Sequence, residues 1–144
     1  MKSIRTTYLI DSNVLIYAIN EISPKHRRAQ QFLQDNINNI AVAQQNILES
    51  VRVLTHSKFS NPMLHHEALE AVLAITDNAK LLTPNKTTYY LFMDLIDKYQ
   101  LTGDKIFDAY LIATALSNGV NVVATDNIKD FKNVSEIKAI DPFK

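Results

Sequence analysis

Short runs of β-branched and aliphatic residues, each parted from the next by a longer stretch of helical periodicity, set the main constraint on this chain. Thr7-Tyr8-Leu9-Ile10, Ile40-Ala41-Val42-Ala43, Ala79–Leu82 and Asn121-Val122-Val123-Ala124 read as strands, with Ile137–Ile140 as a fifth at an edge. Connections long enough to hold a helix suit parallel neighbours, because antiparallel ones need only a tight turn. The pattern predicts an α/β domain around a central, mainly parallel sheet of four to five strands.

Helices fill the gaps. One starts near Asn13, and another runs from Ser23 as N-cap and Pro24 at the first helical position to about Ile37. A third carries the stripe Ile47, Leu48, Val51 and Leu54. Asn61-Pro62 opens a fourth with Leu69, Val72, Leu73 and Ile75, and Thr87–Tyr99 turns Leu91, Leu95 and Ile96 inward. The stretch Ile106–Ser117 is apolar nearly all round, which predicts a buried helix, and Gly119 stands where a C-terminal cap belongs.

The 144 residues fit a single domain over 1–144. With no cysteine there is no disulfide, no thiolate zinc site and no cysteine nucleophile. The start, MKSIRTTYLIDSNVLIYAIN, has no clean apolar core or small-residue cleavage pattern, and no segment approaches a membrane span, so a cytoplasmic protein is expected. The formal net charge of 0 gives no general attraction to nucleic acid, although bound cations add local positive charge that such a tally omits.

Candidate chemistry lies in the acids. Sites in parallel α/β sheets form beyond the carboxyl ends of the strands, where Asp11 closes the first strand and Asp126 the fourth. Asp108 shares a buried helical stripe with Leu111, Ile112 and Ala115, and Glu49 lies early in its helix between Leu48 and Val51. Taken singly, Asp11 and Asp126 read as N-caps, Asp108 as an anion at a helix N-terminus and Glu49 as a solvated residue. Together they form a set whose mutual repulsion calls for a divalent cation. Mg²⁺, or the similar Mn²⁺, takes oxygen ligands and polarises a phosphodiester.

These residues resemble the PIN-domain family and, within it, the VapC-type toxin ribonucleases of toxin–antitoxin pairs. YLIDSNVLIYAI resembles the family's strand followed by Asp-Ser/Thr-Asn, and ILESVRVLT its helix with the second acid. LTGDKIFDAYLIATALSNGV is similar to its Gly-x-x-x-x-Asp-Ala helix, and VVATDNIKDF to its Thr-x-Asp-x-x-x-Phe ending. The resemblance spans the chain and implies a three-layer α/β/α domain and a Mg²⁺- or Mn²⁺-dependent endoribonuclease. It makes Asp11, Glu49, Asp108 and Asp126 the catalytic, metal-binding acids, with Ser12, Asn13 and Thr125 as orienting polar neighbours. It further implies an RNA substrate, a small antitoxin whose basic tail enters the acid pocket, and a homodimer, for which the helices around Leu69–Ile75 and Tyr89–Tyr99 offer apolar faces.

Asp104 departs from the pattern and reads either as a fifth carboxylate at the rim or, preferably, as an N-cap; Asp130 reads as a turn residue beside Phe131. Lys25-His26-Arg27-Arg28 reads as a solvated face, His65-His66 as exposed, and Arg52 and Lys58 as unfixed phosphate contacts. The absence of G-x-G-x-x-G, a P-loop and G-x-S-x-G argues against a dinucleotide-binding domain or a serine hydrolase. The alternative kept is a non-catalytic PIN-like module that captures a basic peptide in its acid pocket.

Overall fold

The computed structural model describes residues 5–144; residues 1–4, the start of the stretch read for a targeting signal, lie outside the described residues. Within them, β1 (Tyr8–Ile10), β2 (Ile40–Ala43), β3 (Lys80–Leu82), β4 (Val122–Ala124) and β5 (Lys138–Ile140) form one sheet. Its order is β3-β2-β1-β4-β5, and all its pairs are parallel. Helix pairs make the crossovers: α1 (Ser12–Ile19) and α2 (His26–Asp35), α3 (Gln44–Thr55) and α4 (His65–Thr76), then α5 (Lys86–Tyr99) and α6 (Lys105–Ser117).

Successive side chains of a strand point to opposite faces, and the sheet is covered on both. Leu9, Ala41, Ala43 and Val123 pack with Leu95 of α5 and Leu111 and Ile112 of α6. Their neighbours Ile10, Ile40, Val42 and Ala124 pack with Val14, Leu15 and Ala18 of α1 and Ala29 and Leu33 of α2. A smaller cluster of Leu54, Ala68 and Val72 joins α3 and α4 to Ile16 and Ile19 of α1. The result is the expected α/β/α arrangement. Burial on both sides explains why the strands read as apolar runs without alternation.

Some local expectations need correction. Ser23 does not cap α2: its hydroxyl accepts from the Lys25 N–H inside a turn, and the helix begins at His26. Asn61-Pro62 precedes α4 without starting it; the helix opens at His65, where Glu67 reaches back to the Leu64 N–H. Leu48, Leu69 and Leu73 are exposed, while Ala68 and Val72 face inward. Small residues let α4 sit close, so its large leucines end outside. Gly119 follows the α6 cap with φ +77°, a conformation glycine adopts without strain. Among the described residues no helix is long and apolar enough to cross a membrane.

Candidate active site

β1 is the point at which the topology reverses: β2 and β3 lie to one side of it, β4 and β5 to the other. A crevice opens at such a switch point, beyond the carboxyl ends of the strands. Asp11 directly follows β1 and Thr125 directly follows β4, with Ile10 paired to Ala124.

Asp11 is the most heavily engaged acid. One carboxylate oxygen accepts from the Ser12 N–H at 2.8 Å, and the other from the Thr125 hydroxyl at 2.8 Å. Asn13 Nδ2 donates to Thr125 Oγ1 at 3.2 Å, while Asn13 Oδ1 accepts from the Asp126 N–H at 3.1 Å. Ser12 is buried and takes a bond at 3.2 Å from Asn46 Nδ2. Burial pushes the Asp11 carboxyl upward and outweighs its donors, and repulsion from Glu49 and Asp130 adds to the rise.

Asp108 lies in the first turn of α6 and faces the same cleft. Burial, followed by repulsion from Asp130, pushes it up to about 6, against a smaller lowering by Lys105. Lys105 Nζ stands 3.2 Å from Asp130 and 4.0 Å from Asp108, bridging the two. Glu49 reaches the cleft from α3, and Asp104 lines its rim. Asp104 occupies the N-cap position of α6, yet its side chain makes no capping bond.

Asp126 is not brought into this cleft. Its carboxylate accepts from Lys25 Nζ at 2.7 and 2.8 Å and from the Tyr17 hydroxyl at 2.8 Å. Lys25 also lies 5.2 Å from the ring centres of Tyr17 and Phe143. Burial would raise the Asp126 carboxyl, but the bonds from Lys25 and Tyr17 prevail and hold it below the ordinary carboxylate range. The cause is parity. A Thr-x-Asp pattern sets its acid two residues after the threonine, whereas in this chain Asn127 holds that place and Asp126 comes one residue early. Val123 faces the α5–α6 layer and Ala124 the α1–α2 layer, so in near-extended chain Asp126 falls on the α1–α2 side. Asn127 and Asp130 line the cleft instead, with Asn127 Nδ2 donating to Asp130 at 2.6 Å.

Thus Asp11, Glu49, Asp108 and Asp104 share one cleft of about 760 Å³ with Asp130. Three further residues escaped the sequence reading. Asn46 is buried at the start of α3, and its Oδ1 accepts from the Ala43 N–H at 3.2 Å while its amide reaches Ser12; an amide facing a buried wall was the available signal. Gln45 donates to the Phe107 carbonyl at 3.0 Å and leaves its own buried Oε1 unpartnered. Lys105 carried no signal apart from its distance to Asp108 along the helix.

All side chains able to hold a metal in this cleft are carboxylates, helped by amides and hydroxyls. An oxygen-only donor set with an excess of negative charge, offset in part by Lys105 and Arg52, fits a hard divalent cation. Among the described residues no group of three or more His, Asp or Glu side chains stands close enough together to hold a metal ion, so an ion here would rest on one or two carboxylates.

Residues 8–137 match the PIN domain family. The chain belongs to that family. It is 28% identical over 137 residues to Ribonuclease VapC24 of Mycobacterium tuberculosis, covering 92% of this chain and 94% of that relative. Ribonuclease VapC33 of the same organism is 25% identical over 140 residues, covering 93% and 96%. Among solved structures, VapBC2 from Rickettsia felis, bound to a DNA fragment from its promoter, superposes with a TM-score of 0.73 at 16% identity, covering 94% of this chain and 98% of that one. At that identity the likeness concerns the fold, and this PIN domain has the same layered parallel sheet.

Proposed function

We propose that this PIN domain is a divalent-metal-dependent endoribonuclease, the toxin of a toxin–antitoxin pair. One observation carries the reading: Asp11, Glu49, Asp108 and Asp130 line a single cleft at the switch point of a fold whose relatives are named ribonucleases. Asp11 and Asp108, with Glu49 and Asp130 beside them in the cleft, are the acids proposed to hold Mg²⁺ or Mn²⁺. When bound, the ion supplies a polarised phosphate and an acidified water.

The chain's own residues do the rest. Thr125 and the Ser12 N–H fix the Asp11 carboxylate, while Asn13 holds Thr125 and the backbone that follows it. Asn46 locks Ser12 to α3, the helix that carries Glu49. In the absence of the ion, Lys105 offsets Asp108 and Asp130.

The reading includes a cytoplasmic setting, an antitoxin whose cationic side chain enters the acid cleft, and a homodimer built on the exposed Leu69, Leu73, Tyr89, Tyr90 and Met93 of α4 and α5. Incubation of the purified chain with total cellular RNA, followed by mapping of the fragment ends, tests the activity. Cleavage in Mg²⁺ or Mn²⁺ that stops with chelator and is lost in Asp11→Asn is the expected result; cleavage that is indifferent to chelator removes the metal from the reading.

A further inference from the structure

Two neighbouring amides at the start of α3 reach in different directions. Successive residues of a helix are turned by about 100°, and Gln45 and Asn46 use that turn to touch separate parts of the site. Asn46 is 1% exposed, and its Nδ2 lies 3.2 Å from the Ser12 hydroxyl and 3.5 Å from Asp11 Oδ1. Gln45 Nε2 donates to the Phe107 carbonyl at 3.0 Å, one residue before Asp108. Among the described residues this is the one hydrogen bond between α3 and α6. A single turn of α3 therefore joins the wall that holds Asp11 to the helix that carries Asp108.

A second polar route connects the same two acids. From Asp11 it passes through the Thr125 hydroxyl to the Asn127 N–H at 3.0 Å, across the Asn127 amide to Asp130 at 2.6 Å, and on to Lys105 of α6 at 3.2 Å. That route ends in an ion pair, which salt and competing cations weaken. The route through Asn46 and Gln45 has no charged group between Asp11 and the Phe107 carbonyl, so neither acts on it directly.

Stability does not account for Gln45. Its bond to Phe107 meets solvent, whereas its Oε1 is buried without a partner. A buried acceptor left unpaired loses at least as much as an exposed amide bond returns, so an apolar side chain of the same length would serve the fold as well. The carboxamide does one thing that such a chain cannot. It fixes how far the first turn of α6 stands from α3 and, through Asn46, from Asp11.

We propose that Gln45 is a positioning residue for divalent-ion capture: with Asn46 as its inner anchor, it sets the spacing of Asp11 and Asp108 and so favours Mg²⁺ or Mn²⁺ over the larger Ca²⁺. No three acids stand close enough to share an ion, so the spacing of two is the chain's main hold on ion size. Mg²⁺ needs oxygens at about 2.0–2.1 Å in a near-octahedral shell, while Ca²⁺ accepts about 2.3–2.6 Å in a looser one. A fixed pair suits the first, and a pair free to spread admits the second. The inference rests on the metal-nuclease reading and deepens it.

The test measures binding of the metal alone to the full chain. Mn²⁺ is titrated and the free ion read by electron paramagnetic resonance, with Mg²⁺ and Ca²⁺ as competitors, and melting in chelator follows the metal-free fold. Gln45→Met keeps the length and loses the donor. It should weaken Mn²⁺ and Mg²⁺ about 10-fold, the scale of losing an outer partner of a metal ligand, and Ca²⁺ by less, so that the preference for the small ions narrows. Its metal-free Tm should stay level or rise. Gln45→Asn keeps an amide but falls one methylene short of Phe107, and should bind ions as Gln45→Met does. An unchanged ion preference in both variants overturns the positioning role and leaves the metal site standing. A lowered metal-free Tm in Gln45→Met assigns the residue to the fold and overturns the role as well. A parent that binds none of the three ions ends this inference and the metal dependence together.

Discussion

Asp126 and Asp130 carry the same carboxylate four residues apart and live in opposite surroundings. Asp126 is neutralised by Lys25 and Tyr17 on the α1–α2 side, and Asp130 faces Asp11 and Asp108 with Lys105 as its cation. Asp130→Asn should therefore lower RNA cleavage by at least 10- to 100-fold, the scale of losing an outer partner of a metal ligand. Asp126→Asn should keep most of the cleavage and cost about 1 kcal/mol or less of stability, because its ion pair is partly exposed. Quantitative cleavage of one RNA oligonucleotide, with urea unfolding of each variant, checks both; equal loss of activity in the two would return Asp126 to the cleft. Asp108 makes a pH prediction. Its carboxyl is raised from 3.8 to about 6, so between those values the folded state binds more protons than the unfolded one. Metal-free stability should consequently fall as pH rises through that window. Asp108→Asn should lessen the fall, leaving the share that the raised Asp11 contributes, and stabilise the metal-free protein at pH 7 by on the order of 1–3 kcal/mol. Urea titrations at pH 4 and pH 7 in chelator provide the measurement, and a constant wild-type stability would contradict it.

At the scale of elements, what the sequence disclosed and what it concealed follow from the range of the interactions. The strands and α6 are legible as continuous apolar runs, and α5 by its helical period. Helix starts are less so: Ser23 and Pro24 look like a start but belong to a turn, since a cap depends on the direction in which the chain arrives. Asp11 and Asp108 could be picked out because a strand end and a buried helix stripe locate them, whereas Glu49 was marked only by its place early in α3 and by the resemblance of ILESVRVLT. The choice between Asp126 and Asp130 was not legible from counting acids; it required the parity of Val123 and Ala124, which only the two packed layers reveal. Lys105 and Gln45 act on groups from other elements, and no local pattern marks them. The cap of α5 offers another test. Gln100 sits in the left-handed region at φ 52°, where a side chain is strained. Gln100→Gly should raise stability by about 0.5–1 kcal/mol, or roughly 2–4 °C in Tm for a chain of this size. Calorimetry reads this directly, and a lower Tm would show that the glutamine side chain contributes more than its backbone costs.

For the molecule as a whole, the exposed apolar surface is concentrated on α4 and α5, with Leu69, Leu73, Tyr89, Tyr90 and Met93 open to solvent. The α4 pair and the α5 trio sit on helices packed against different core clusters, and grouped exposed apolar residues mark an interface more often than scattered ones. Leu69→Asp with Leu73→Asp should shift the chain from dimer to monomer in sedimentation without loss of helicity; a wild type that is monomeric at micromolar concentration would remove the dimer from the proposed function. The order of the strands has a further consequence, in time. The central strand is the first to be synthesised, but β4 at its side comes more than a hundred residues later, and Thr125 lies 114 positions from the Asp11 it holds. A ribosome releases residues in order, so no nascent or prematurely ended chain that stops before β4 can fix Asp11 or close the cleft. Asp11 and Glu49 both precede β4 by more than seventy residues, and Asp11 stays without its hydroxyl partner until Thr125 arrives.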